Sequence, residues 1–171
     1  MGYLLPAETP ETRHPAEDYL RLVKLPEHRH LSDGEARVEW LFRTHAEVKA
    51  GRTILGTAFM PTVNGRLAPV FDWLIERLFG EPPAFLIVLD FQFWADATPR
   101  EREILVYHEM LHCTQALDPY GAPKFDRDGL PVWAIQGHDV EEFAATVRRY
   151  GAYSEDIRQF IAAAGEGDAR Q

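Results

Sequence analysis

Residues 108–113 read His-Glu-Met-Leu-His-Cys. Two histidines four positions apart on one helix project from nearly the same side, with Cβ atoms about 5–6 Å apart, so both imidazoles can reach a single metal ion. His108 and His112 have that spacing. Glu109 lies about 100° further round, where a carboxylate can hold a water and accept its proton without becoming a ligand. Leu105 shares the histidine face at i, i+3 and i+7, which predicts that the pair points toward the protein rather than into bulk water. The chemistry implied is metal-assisted hydrolysis in an HExxH arrangement. The competing reading is a pair of surface histidines beside a solvated glutamate, and the apolar neighbours argue against it.

Other chemistry-bearing residues are scattered along the chain. Gly137-His138-Asp139-Val140-Glu141-Glu142-Phe143 supplies a further histidine downstream of the first pair. His28 and His30 would face one side of a strand, but the neighbouring Pro26, Glu27 and Arg29 favour a solvated loop. Cys113 sits about 100° round from His112 and reads as a small buried hydrophobe rather than a ligand. Residues 126–129, Asp-Arg-Asp-Gly, lack the spacing and closing glutamate of a calcium loop, so a turn is expected there.

These residues need elements to hold them. Thr98 and Glu101 form a capping box with Pro99 at the first helical position, so a helix is expected from there to about Leu117. Residues 85–91 are β-branched and aromatic enough for a buried strand, followed by a polar loop near Asp96 and Ala97. Leu67, Val70, Phe71, Leu74, Ile75 and Leu78 follow helical spacing, and Gly80 closes that helix. Residues 38–43 and 53–59 resemble strands joined through a loop containing Gly51, together forming a hairpin, while 15–24 suggests a short helix. Residues 118–121 break the long helix, 126–131 is turn-rich, and 132–135 reads as a short strand. Val140, Phe143, Ala144 and Val147 mark a further helix, and Ile157, Phe160 and Ile161 a terminal one. The organisation expected is a poorly ordered arm at 1–14 and a single domain over 15–171.

Composition narrows the function classes. Hydrophobic residues make up 46% of the chain and charged ones 26%, enough for a globular core and against global disorder. A formal charge of -9 with dispersed Lys and Arg works against a polyanionic nucleic-acid partner. The longest apolar run, 84–89, is far shorter than the roughly 20 residues of a membrane span, and the start of the chain lacks signal-peptide character. With one cysteine and hence no internal disulfide, a cytoplasmic location is expected.

The motif at 108–113 together with 137–143 resembles the phage metallopeptidase family, itself similar to the SprT-like and Spartan zinc proteases, over about residues 35–150. That resemblance implies an α+β, zincin-like fold: a small antiparallel or mixed sheet packed on the HExxH helix. It also implies zinc bound by His108, His112 and His138, with Glu109 as general base. Three ligands would leave a fourth position for water, whose pKa zinc lowers toward roughly 7. The substrate implied is a peptide or protein, with the strand at 85–91 beside the active helix pairing with it in extended form. Spartan's basic DNA-binding tail has no counterpart here. Tyr107, Tyr120, Tyr150 and Arg148 are candidates to stabilise the oxyanion. Glu141 and Glu142 are the rival third ligands. Glu142 falls opposite the stripe of Val140, Phe143, Ala144 and Val147 and suits a capping role after Asp139, whereas Gly137 lets His138 turn toward the pair. The alternative function is a noncatalytic binding module stapled by the same zinc, although no further Cys or His is evident to close a structural site.

Overall fold

The computed structural model describes residues 2–140 and 144–168, and the chain contacts group into two units, Met1–Gln136 and Gly137–Gln171. The segment expected as an N-terminal arm belongs to the first unit. Within it, β1 (Tyr3–Leu4) pairs antiparallel with β2 (Val38–Arg43), and a 3-10 turn at Pro6–Glu8 follows. Thr9 and Pro15 are buried, and the Trp94 indole donates to the Arg13 carbonyl at 2.8 Å. Backbone pairing and these burials tie down a segment that lacks apolar periodicity of its own.

The first unit is α+β, with a four-stranded mixed sheet ordered β1-β2-β6-β5. A hairpin of β3 (Glu47–Lys49) and β4 (Arg52–Ile54) turns through Ala50 and Gly51, both at positive φ. It leads into β5 (Gly56–Phe59). The strands at 38–43 and 53–59 therefore do not form a hairpin with each other. Instead β6 (Phe85–Asp90) lies between them, parallel to β2 and antiparallel to β5. All six β6 residues are buried, as a strand flanked on both sides and covered on both faces requires. Because β2 and β5 occupy both its hydrogen-bonding edges, β6 is not the edge on which extended substrate was expected to pair. The edge strand that packs beside the motif helix is β5.

Helices cover this sheet. α1 (Ala16–Leu22) packs on the motif helix, and a 3-10 turn at Pro26–His28 runs into α2 (Arg29–Asp33). α3 (Ala68–Phe79) forms where its spacing predicts a helix and ends at Gly80, where φ is 81°, but while Ile75 is buried, Leu67, Val70, Leu74 and Leu78 are exposed. The loop expected after β6 is instead α4 (Phe91–Asp96), whose first turn is capped by Asp90 accepting from the Phe93 N–H at 2.9 Å. α5 (Pro99–His112) starts on the expected capping box: the Thr98 hydroxyl accepts from the Glu101 N–H, and the Glu101 carboxylate accepts from the Thr98 N–H at 2.8 Å.

The helix ends earlier than its sequence suggested. β7 (Cys113–Gln115) begins directly after His112 and pairs antiparallel with β8 (Trp133–Ile135). Between them, Asp118 and Asp126 each accept two backbone N–H bonds within their own turns, so the acidic 126–129 stretch is a turn as expected. In the second unit, α6 (Ala144–Tyr150) is followed by Gly151 at φ 71° and then α7 (Glu155–Asp168), which buries Ile157. Phe160 and Ile161, expected to pack, are exposed. No described helix is long and apolar enough to cross a membrane.

Candidate metal centre

The face of α5 that enters the core runs through Leu105, Val106, Glu109 and Met110, with buried Cys113 following. It therefore passes through Glu109 rather than through the histidines. His108 is exposed and His112 half-buried, which corrects the expectation that both point inward. Leu105 does share their face, but the centre of the buried stripe falls about 100° away from it. The consequence is chemically apt: the acid sits against the protein, and the imidazoles stand at the border where a ligand can arrive.

The His108 and His112 rings are 5.1 Å apart between centroids and nearly perpendicular. His112 Nδ1 donates to the Gln136 carbonyl at 2.7 Å, and the Gln136 N–H in turn bonds the His112 carbonyl at 2.9 Å. This pairing fixes the tautomer, so that Nε2 is the ring's lone-pair nitrogen. His138 follows two residues after Gln136, and its ligand nitrogen, with those of His108 and His112, forms a set whose members all lie within 4.8 Å of one another. Glu141 and Glu142, the rival ligands, lie outside the described residues.

Glu109 is held from the sheet side. Its carboxylate accepts the backbone N–H of Ala58 on β5, and its Oε2 is buried with no hydrogen-bond partner. Burial pushes its carboxyl up to about 7, against the opposing pull of His112 and the Ala58 N–H. Cys113 is fully buried and its thiol is pushed up to about 12 by burial and by Glu109, and it does not belong to the histidine set.

Sequence reasoning missed several parts of this region. His28 is fully buried rather than in a solvated loop, edge-on to Tyr107 with centroids 4.7 Å apart. His30 bonds the Cys113 carbonyl at 2.7 Å and so anchors the chain just past His112. Neither joins the three-histidine set. The Gln136 carbonyl, the Ala58 N–H and Gly56 are backbone features with no side-chain signature. Of the oxyanion candidates, Tyr107 is half-buried against His28, Tyr120 is exposed on the turn after β7, and Arg148 and Tyr150 belong to α6.

Comparison with known families adds an independent finding. The family model described as "Putative phage metallopeptidase" matches residues 7–165. The chain belongs to that family. Its description points to a metal-dependent protease acting on peptide or protein substrates, in agreement with the histidine set. No curated protein and no solved structure matches the chain.

Proposed function

We propose that this protein is a zinc-dependent peptidase in which His108, His112 and His138 hold the metal and Glu109 is the general base. The observation that carries the reading is a buried carboxylate, one oxygen of which has no partner, on the same helical turn as two histidines that form a ligand-sized set with a third. The donor set is neutral and nitrogen-rich, which suits zinc and leaves a tetrahedral position for water or substrate. When bound, zinc would supply an acidified water and polarise the scissile carbonyl.

The chain's own residues supply the rest. Gln136 orients His112 through Nδ1, and the Ala58 N–H fixes one side of the Glu109 carboxylate, leaving Oε2 to take a proton from the attacking water and return it to the leaving amine. His108 and His138 are exposed, so the centre is reachable by a polymer. β5, as the edge strand beside α5, is the element along which an extended substrate would lie.

The test is an unbiased peptide-cleavage profile of the zinc-loaded protein beside Glu109→Gln. Hydrolysis should fall by about 100-fold or more in the variant, the usual range for losing a general base. Cleavage that survives in Glu109→Gln would remove Glu109 from the chemistry.

A further inference from the structure

Gly56 opens β5 on the free edge of the sheet. Its φ is not in the left-handed region, so its lack of a side chain is not required by its backbone. Space explains it instead. A Cβ built on Gly56 would stand 2.6 Å from the Glu109 Cδ and 2.8 Å from its Cγ, and closer still to Oε1. No real Cβ tolerates such approaches, and the atoms in the way belong to a buried side chain rather than to one that can swing into solvent.

Two residues on, the same strand contributes a bond. The Asp90 N–H donates to the Leu55 carbonyl at 2.8 Å, and Gly56 and Ala58 face Leu89 and Ile87 across the antiparallel ladder. By the alternation of such ladders, the N–H groups of Gly56 and Ala58 then point away from β6, toward the free edge. The outward Ala58 N–H is the one that reaches Glu109. A bare backbone at 56 and a directed donor at 58 therefore grip one carboxylate from neighbouring positions.

We infer that β5 is a positioning element for the general base, with Gly56 as the residue that admits the Glu109 side chain to the Ala58 N–H. The inference rests on the peptidase reading for its consequence in catalysis, but its structural core does not. Any side chain at 56 pushes the Glu109 carboxylate off its donor, and Oε2 loses its fixed bearing relative to the histidines.

The experiment is a double-mutant cycle of Gly56→Ala and Glu109→Ala, read by thermal melting, bound zinc and peptide hydrolysis. Alone, Gly56→Ala should lower the melting temperature by about 3 °C or more. In the Glu109→Ala background the same change should leave it unchanged or raise it by about 2 °C, because alanine is ordinarily the better strand residue. Where glutamate is present, Gly56→Ala should lower kcat at unchanged KM and unchanged zinc content, a split that general loosening of the fold would not give. If Gly56→Ala fails to fold while the double variant folds, the coupling is the same in stronger form. An equal fall in melting temperature in both backgrounds, failure of both to fold, or full hydrolysis by Gly56→Ala would overturn the proposal. The melting cycle stands apart from catalysis, so a protein that showed it but cleaved nothing would contradict the peptidase reading alone.

Discussion

Two histidine pairs stand in different elements of the chain, and they have opposite surroundings. His28 and His30 flank the start of α2; the first is fully buried with neither ring nitrogen partnered, and the second spends its Nε2 on the Cys113 carbonyl. His108 and His112 sit at the end of α5, exposed and half-buried, with His112 oriented by the Gln136 carbonyl. Burial therefore does not mark the pair we propose as metal ligands. What distinguishes it is a one-turn spacing, a backbone carbonyl that sets the tautomer, and access for a third histidine.

The sharpest way to break this contrast is zinc affinity. His108→Ala and His112→Ala should each weaken zinc binding by more than about 100-fold, exceeding what loss of an outer-shell partner costs. His138→Ala should match them, and Glu142→Ala should not. His30→Ala should leave affinity within about 10-fold, because its ring bonds the backbone past His112 and not the histidine set. A competition titration against a chelator measures all five. A loss for Glu142→Ala equal to that for His138→Ala would make this a two-histidine, one-glutamate centre.

A smaller effect separates the buried member of the other pair. Desolvation lowers the His28 pKa below 6.5, with His30 adding to the shift and Glu27 opposing it. The folded state thus binds fewer protons than the unfolded chain, so this group costs stability as pH falls through and below about 6.5, and nothing well above it. The contribution is bounded at about 1.4 kcal/mol per pH unit. Melting of the metal-free protein between about pH 8 and about pH 5.5 should show the fall, and His28→Phe should flatten it relative to wild type. An unchanged slope in His28→Phe would mean that the acid sensitivity lies elsewhere.

The same contrast shows what was legible from residues alone. The start of α5 was written locally in Thr98, Pro99 and Glu101, and the α3 helix in its apolar spacing, because both depend on neighbours within one or two turns. The end of α5 was not. Helical pattern continues past His112, and the helix stops because residues 113–115 pair with 133–135, some twenty residues away. β1 was hidden for the same reason, being two residues that pair with the far edge of β2. The placement of β6 between β2 and β5 likewise follows from sheet topology rather than from either strand's sequence. At the centre, the HExxH residues were readable but the buried stripe is turned about 100° from the face expected, since it is set by which face β5 and α1 cover. His28 looked solvated from its polar neighbours, and only packing against Tyr107 shows otherwise.

The central claim is that one zinc is held by histidines while Glu109 stands beside it without binding it. Elemental analysis of purified wild-type protein and Glu109→Gln after mild dialysis tests this directly. Both should carry about one zinc per chain, the number a single three-histidine centre holds. Zinc that stays well below that level in the wild type after added metal would contradict the centre itself, and zinc lost only from Glu109→Gln would make Glu109 a ligand.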